Sequence, residues 1–277
     1  MQKRKMEVPC LLGFALAFWF LMAGTALAQE VTLRYGHSAG TTLNYHLTLD
    51  TPGLQASKKV DVDVIREVAS VTAEGVMEVS TTFQNGIMVV NGISSPLPVS
   101  GKILTALLNR RGEIQSTAST GALADLFARA GLGTSSVSPD VFRSLGILEF
   151  PQDPLSPGEG WSVEKNHTFP NGDSLNVTYA YTLTGFVSYG GYECARISID
   201  SQPQFSLYQD FPTLRRGLQV NGQLRISGIL LFAHNEGRIV KLEETLETDA
   251  VSMMIAYDGM ADIAPIYQKT FVTLELQ

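Results

Sequence analysis

Residues 174–200, SLNVTYAYTLTGFVSYGGYECARISID, constrain the fold more than any other stretch of the chain. Leu175, Val177, Tyr179, Tyr181 and Leu183 fall on one phase, and Asn176, Thr178, Ala180, Thr182 and Thr184 on the other. Such period-two alternation specifies a strand with one buried face. The pattern resumes after Gly190-Gly191, with Ala195, Ile197 and Ile199 set against Arg196, Ser198 and Asp200. A glycine pair between two alternating runs predicts a β-hairpin, because tight two-residue turns need positive φ.

Much of the remaining chain has the same pattern. Leu43, Tyr45, Leu47 and Leu49 alternate with Asn44, His46 and Thr48, and Val60, Val62, Val64 and Val68 with Asp61, Asp63 and Glu67. One irregularity interrupts the second run at Ile65-Arg66. Ala73-Glu74-Gly75 predicts a turn, with a return strand through Met77, Val79, Thr81 and Phe83. Asn85-Gly86 and Asn91-Gly92 read as two further turns. Residues 102–108 and 113–116 flank a turn at 109–112. Residues 224–233 and 239–248 form another hairpin, and strands through Val251–Tyr257 and Val272–Leu276 close the chain. No strand-helix-strand rhythm occurs, so the expected class is mainly β: an antiparallel curved sheet or half-barrel.

Residues 119–148 differ. Leu123, Leu126, Phe127 and Ala130 recur at helical spacing, and Gly131 and Gly133 end the run. Ser138-Pro139-Asp140 supplies an N-cap, a first-turn proline and a first-turn acid ahead of Val141, Phe142 and Leu145. Two short amphipathic helices are expected. Their apolar stripes exceed what a connector needs. Leu123, Leu126, Phe127, Val141, Phe142 and Leu145 are therefore the candidate apolar ligand-binding residues, covering a concavity of the sheet.

Residues 1–28 read as a signal peptide. Lys3, Arg4 and Lys5 precede an apolar run, and Ala26-Leu27-Ala28 fits signal-peptidase specificity, which places cleavage after Ala28. The chain carries a net charge of −7. Losing three basic residues with the leader, against the single acid Glu7, leaves the exported part more acidic still. With no Lys/Arg run, no nucleic-acid partner is expected. Cys194 is the one thiol left after cleavage, so no internal disulfide forms, and a buried apolar role suits it.

Residues 150–160, with Pro151, Pro154 and Pro157, read as a long loop, after which the pattern restarts. Gly158-Glu159-Gly160-Trp161 resembles Gly40-Thr41-Thr42-Leu43, about 118 positions earlier. The Gly190 turn echoes the Gly75 turn, and Asn235-Glu236-Gly237-Arg238-Ile239 echoes Arg110-Arg111-Gly112-Glu113-Ile114. An internal duplication is expected, with a first β repeat over 29–150, ending in the two helices, and a second over 151–277. Residues 202–220, including Arg215 and Arg216, are extra in the second copy.

Chemistry-bearing motifs are few. Gly36-His37-Ser38-Ala39-Gly40 matches the G-x-S-x-G nucleophile elbow, yet the residues after it alternate as a strand rather than a helix, and no earlier oxyanion loop precedes it. Ser38 is expected to be structural. His37, His46, His167 and His234 show no metal-ligand spacing, so no metal and no cofactor is expected. Asn166 and Asn176 head glycosylation sequons.

The long hairpins after a leader, the helical pair, and the proline-rich approach to Gly158-Glu159-Gly160-Trp161 resemble the LolA/LolB-type lipoprotein carriers of bacteria. That resemblance implies a half-barrel whose sheet and covering helices enclose an apolar cavity for acyl chains. The leading expectation is a non-enzymatic exported protein of the periplasm or cell envelope. Its expected partners are a lipid or lipoprotein and other envelope proteins. The alternatives are a structural envelope module without ligand, an outer-membrane β-barrel, and a serine hydrolase using Ser38.

Overall fold

The structure is a computed structural model that describes residues 30–53, 57–97, 101, 103–119, 147–168, 174–211, 216–257 and 261–277. The expected helical pair, with all six candidate ligand-binding residues, lies outside the described residues, as does the leader.

The described residues form one antiparallel sheet of thirteen strands. The first half contributes β1 (Thr42–Thr51), β2 (Lys58–Val71), β3 (Met77–Val90), β4 (Ile93–Pro96), β5 (Ile103–Leu108) and β6 (Ile114–Ser119). The second contributes β7 (Gly160–Thr168), β8 (Ser174–Tyr189), β9 (Tyr192–Ser201), β10 (Gln204–Phe211), β11 (Arg216–Ala233), β12 (Arg238–Ala256) and β13 (Ala261–Leu276). The spatial order is β6-β5-β3-β2-β1-β13-β12-β11-β9-β8-β7, with β4 beside β3 and β10 beside β11. The order β6-β5-β3-β2-β1 in the first half reappears as β12-β11-β9-β8-β7 in the second, and β13 is inserted between them.

Alternation sets the faces. On β8, Val177, Tyr179, Tyr181 and Leu183 are buried while Thr178, Ala180 and Thr184 are exposed. Gly190 and Gly191 take φ of 57° and 85° and join Tyr189 to Tyr192, as the glycine pair predicts. On β1, Tyr45 and Leu47 are buried, whereas the intervening Asn44, His46 and Thr48 reach solvent to differing degrees.

Two expectations need correction. The irregularity at Ile65-Arg66 is not a break in phase, because Arg66 continues the inward row of Val60, Val62 and Val64 and is 4% exposed. Register shifts fall instead between Asp61 and Asp63 and between Val68 and Ser70. Asn85-Gly86 is not a turn either. β3 runs through it to Val90, and Asn85, at φ 53°, absorbs an irregularity within the strand.

The sheet curls on itself. The Tyr35 amide donates to the Arg110 carbonyl (2.8 Å) in the β5–β6 turn, and the Gly36 amide to the Gly237 carbonyl (3.3 Å) in the β11–β12 turn. Neighbouring residues are only about 3.8 Å apart. In a flat sheet those two turns would be about six strand spacings apart, roughly 29 Å. The two edges also approach. The Glu149 carboxylate meets Lys165 Nζ on edge strand β7 at 2.7 Å and Arg111, before β6, at 4.0 Å. The result is an open barrel, whose edge strands β6 and β7 are bridged by residues 147–150 without pairing to each other among the described residues.

Residues 31–35 and 147–155 plug one end. Residues 31–35 alternate weakly, as a strand does, 147–148 end the stretch expected to hold the helices, and 150–155 begin the expected long loop, yet both segments place apolar side chains in the core: Leu33, Tyr35, Leu148 and Phe150 are nearly fully buried. Val31 and Leu155 form a two-residue antiparallel bridge. The plug rests on two turns that exclude a side chain. Gly112, at φ 84°, lies against the Leu148 carbonyl and the Tyr35 ring, and Gly237, at φ 65°, against Gly36 and the Arg34 carbonyl.

Candidate functional site

The inward face of the barrel is the site that the fold builds. Near the plug it is aromatic. Tyr35, Phe150 and Phe232 meet with ring centroids 4.5–5.6 Å apart, and Trp161 stacks on Tyr181 at 5.1 Å. Tyr35 fixes the plug, its hydroxyl accepting from the Leu148 amide at 3.0 Å. Burial pushes the Tyr35 and Tyr45 phenols well above their ordinary range, so both stay neutral hydrogen-bonding groups. Tyr45 donates to the Ile239 carbonyl at 3.2 Å.

Beyond the aromatic end the wall is aliphatic. Leu47, Val62, Leu183, Leu230, Leu242 and Leu274 come from six different strands and belong to one continuous cluster. Toward the other end the inward positions Leu224, Leu246 and Ile266 are only partly buried. The interior is thus plugged at one end and loosens toward the other.

Five buried polar or charged side chains interrupt it among the described residues: Arg66, Thr81, Ser201, Glu244 and Thr270. The Arg66 guanidinium lies over the Tyr45 ring at 5.2 Å. Glu244, 3% exposed, passes across Gly228 on β11, where a Cβ would run into its Cγ. A cation near the plug and an anion farther along the wall mark the interior as more than a hydrocarbon core. Sequence reasoning missed both. Arg66 was visible as the one charged residue in phase with four valines, and Glu244 as the acid in phase with Leu242 and Leu246.

The other motif residues fall outside this wall. Ser38 lies in the turn entering β1, where its carbonyl accepts from the Thr41 amide (3.1 Å) and its hydroxyl meets Thr41 Oγ1 (3.4 Å). The Gly40 amide donates to Val68, and the Val68 amide to Thr41. Gly158, Glu159, Ser156 and Leu183 repeat that hydrogen-bond pattern in the second half. His37 is partly buried next to Arg238 and Arg66. Burial first, then the two guanidiniums, pushes its pKa down to about 4.

On the convex face His46 stands between two carboxylates, with Nδ1 3.0 Å from Asp63 and Nε2 3.6 Å from Asp61. Partial burial raises the Asp61 pKa, but hydrogen bonds from Lys59 and Thr48 outweigh it and hold the group below its usual range. Asn85 and then His46 do the same for Asp63. The aspartates share a face, as their spacing requires, and His46 is the cross-strand partner that spacing alone does not reveal. Cys194 is fully buried with Ala233 and Val240, and burial raises its thiol pKa. Among the described residues no three His, Cys, Asp or Glu side chains converge to hold a metal.

Comparison with protein-family models finds no match, and comparison with curated proteins finds none.

Proposed function

We propose that the chain is an exported cell-envelope protein that holds an apolar ligand, a lipid or the acyl chain of a lipoprotein, inside the open barrel. One observation carries this reading: an inward face that is predominantly apolar, interrupted by a few buried polar side chains such as Arg66 and Glu244, from the plug to the loosened end, where Leu224, Leu246 and Ile266 remain partly accessible. Sequestering an acyl chain there stabilises the complex by about 0.8 kcal/mol per buried methylene. The role is one of binding rather than catalysis. Cleavage after Ala28 delivers the protein to the periplasm or envelope, where lipoproteins and other envelope proteins are its partners. The polar outer side of β1 and β2, with His46, Asp61 and Asp63, weighs against an outer-membrane barrel, whose outer band is apolar. The recurring strand order and the matched hydrogen bonds at Gly40 and Gly158 support descent from an internal duplication. On this reading one copy supplies each half of the wall.

A second reading is a structural module whose interior is filled by protein. It is favoured by the near-zero exposure of Leu183, Leu230 and Leu274. Titration of the exported chain with a fluorescent fatty acid separates the two. The carrier reading expects saturable binding that Leu246→Arg weakens by about tenfold or more, by placing a charge on the apolar path. A folded wild type that leaves the probe in water sinks it and leaves the filled module.

A further inference from the structure

A shallow groove of about 440 Å³ crosses β11, β12 and β13 on the convex face. That volume lies in the roughly 300–1,000 Å³ range of small-ligand sites. Its walls follow from the ladder. Ile226, Leu230, Leu242, Val272 and Leu274 face the interior, so the residues that alternate with them face out. Ser227, Thr245 and Phe271 form one row across the three strands, and Ile229, Glu243 and Thr273 the next. Gly228, Glu244 and Val272, on the inward phase, complete the lining from below. The two rows span about 10 Å across the strands and about 7 Å along them.

The groups in those rows are of three kinds. The hydroxyls of Ser227, Thr245 and Thr273 have no hydrogen-bond partner among the described residues. The Glu243 side chain is 56% exposed and is held through Oε1 by Lys241 at 2.8 Å. Phe271, 41% exposed, supplies an aromatic wall. Lys269 Nζ lies 5.3 Å from the centroid of that ring and pairs with Glu247 at 2.6 Å. Asp200 and Asp50 extend the first row at its two ends, opposite Ser227 and Phe271.

This set of groups selects a class of ligand. An anion would meet carboxylates, while both nearby lysines are committed to Glu243 and Glu247. An acyl chain would find only Ile229 and Phe271, and would strand three hydroxyls in hydrocarbon. A sugar ring answers both requirements. Its hydroxyls donate to carboxylates and pair with side-chain hydroxyls, and its C–H flank covers an aromatic ring. We infer that the groove is a glycan-binding site, which takes a neutral hexose with its C–H flank on Phe271 and its hydroxyls on Glu243, Thr245 and Ser227. Polysaccharides and glycolipid heads share that chemistry. The inference is independent of what the barrel interior holds.

Titration of the folded, exported chain with maltohexaose, cellohexaose and chitohexaose, followed by saturation-transfer NMR, tests it. At least one of the three should bind saturably. Phe271→Ala should weaken binding by about tenfold or more, and Thr245→Val, which removes only a hydroxyl, by about threefold, both with unchanged circular dichroism. Tyr267→Ala removes a more exposed ring of the same strand, outside the groove, and should leave binding unchanged. Should Phe271→Ala not fold, Thr273→Val replaces it and must also weaken binding. Phosphatidylcholine vesicles with and without galactosyl diacylglycerol separate the sources: binding to the galactolipid alone, lost in Thr245→Val, assigns the groove to a glycolipid head. A folded wild type that binds none of these probes overturns the inference. So does binding that survives Phe271→Ala and Thr245→Val, or that favours the anionic trigalacturonate over the neutral sugars.

Discussion

Tyr181 is 3% exposed and stacks on Trp161, whereas its neighbour Thr182 points to the other face and is partly exposed. Tyr181→Asp should therefore cost about 3–5 kcal/mol in chemical denaturation, since it takes an unpaired charge into the wall, while Thr182→Asp should cost about 1 kcal/mol or less. Equal costs would contradict a sheet with one buried face. His37 makes a separate prediction in pH. Its folded pKa, about 4, lies below the ordinary histidine value of 6.5, so the unfolded chain takes up the proton first as pH falls. Stability should decline from about pH 6.5 to about pH 4 by on the order of 2 kcal/mol, and His37→Gln should flatten that slope. Asp61 and Asp63, with folded values below 3.8, lose their contribution only at lower pH, so the two windows separate. A slope unchanged by His37→Gln would show that another group carries it.

At the scale of elements, the plug is what distinguishes this barrel from a bare sheet. Gly237→Ala should destabilise by about 2–4 kcal/mol, because the new Cβ meets Gly36 at positive φ. The same change at Gly92, where φ is +81° but nothing lies within 4 Å, should cost about 1 kcal/mol. Similar losses at the two sites would mean that the plug does not bear on the β11–β12 turn. Tyr35→Phe should cost about 1–3 kcal/mol by leaving the buried Leu148 amide without its hydroxyl partner. The strands are legible in the sequence because their alternation is local: Val177 to Leu183 announces its own buried face. The plug is not. Val31, Leu33 and Tyr35 alternate like any strand, and only contacts far along the chain, at Arg110 and Gly237, turn that segment across the barrel end. Arg66 misleads for a related reason, since a lone charge among valines looks like a slipped phase until Tyr45 is seen beneath it.

For the whole molecule, the order of strands is the property that local pattern cannot supply. The insertion of β13 between β1 and β12 joins the chain's last strand to its first complete one, and nothing in the composition of residues 261–276 announces that partner. The recurrence of Gly40 and Gly158, by contrast, is readable from sequence, and the structure gives it a physical content in two matched turns. The candidate site divides in the same way. Its apolar wall comes from alternation, whereas Arg66 and Glu244 become site residues only once the sheet has curled. Everything proposed for the interior rests on its holding an apolar cargo. Native mass spectrometry of the exported protein, purified from its own host without detergent, bears on that cargo without an added probe. A carrier should give a species heavier than the polypeptide by the mass of a lipid, released on collisional activation and depleted by Leu246→Arg. A spectrum containing only the bare polypeptide, from protein that remains folded, would contradict it.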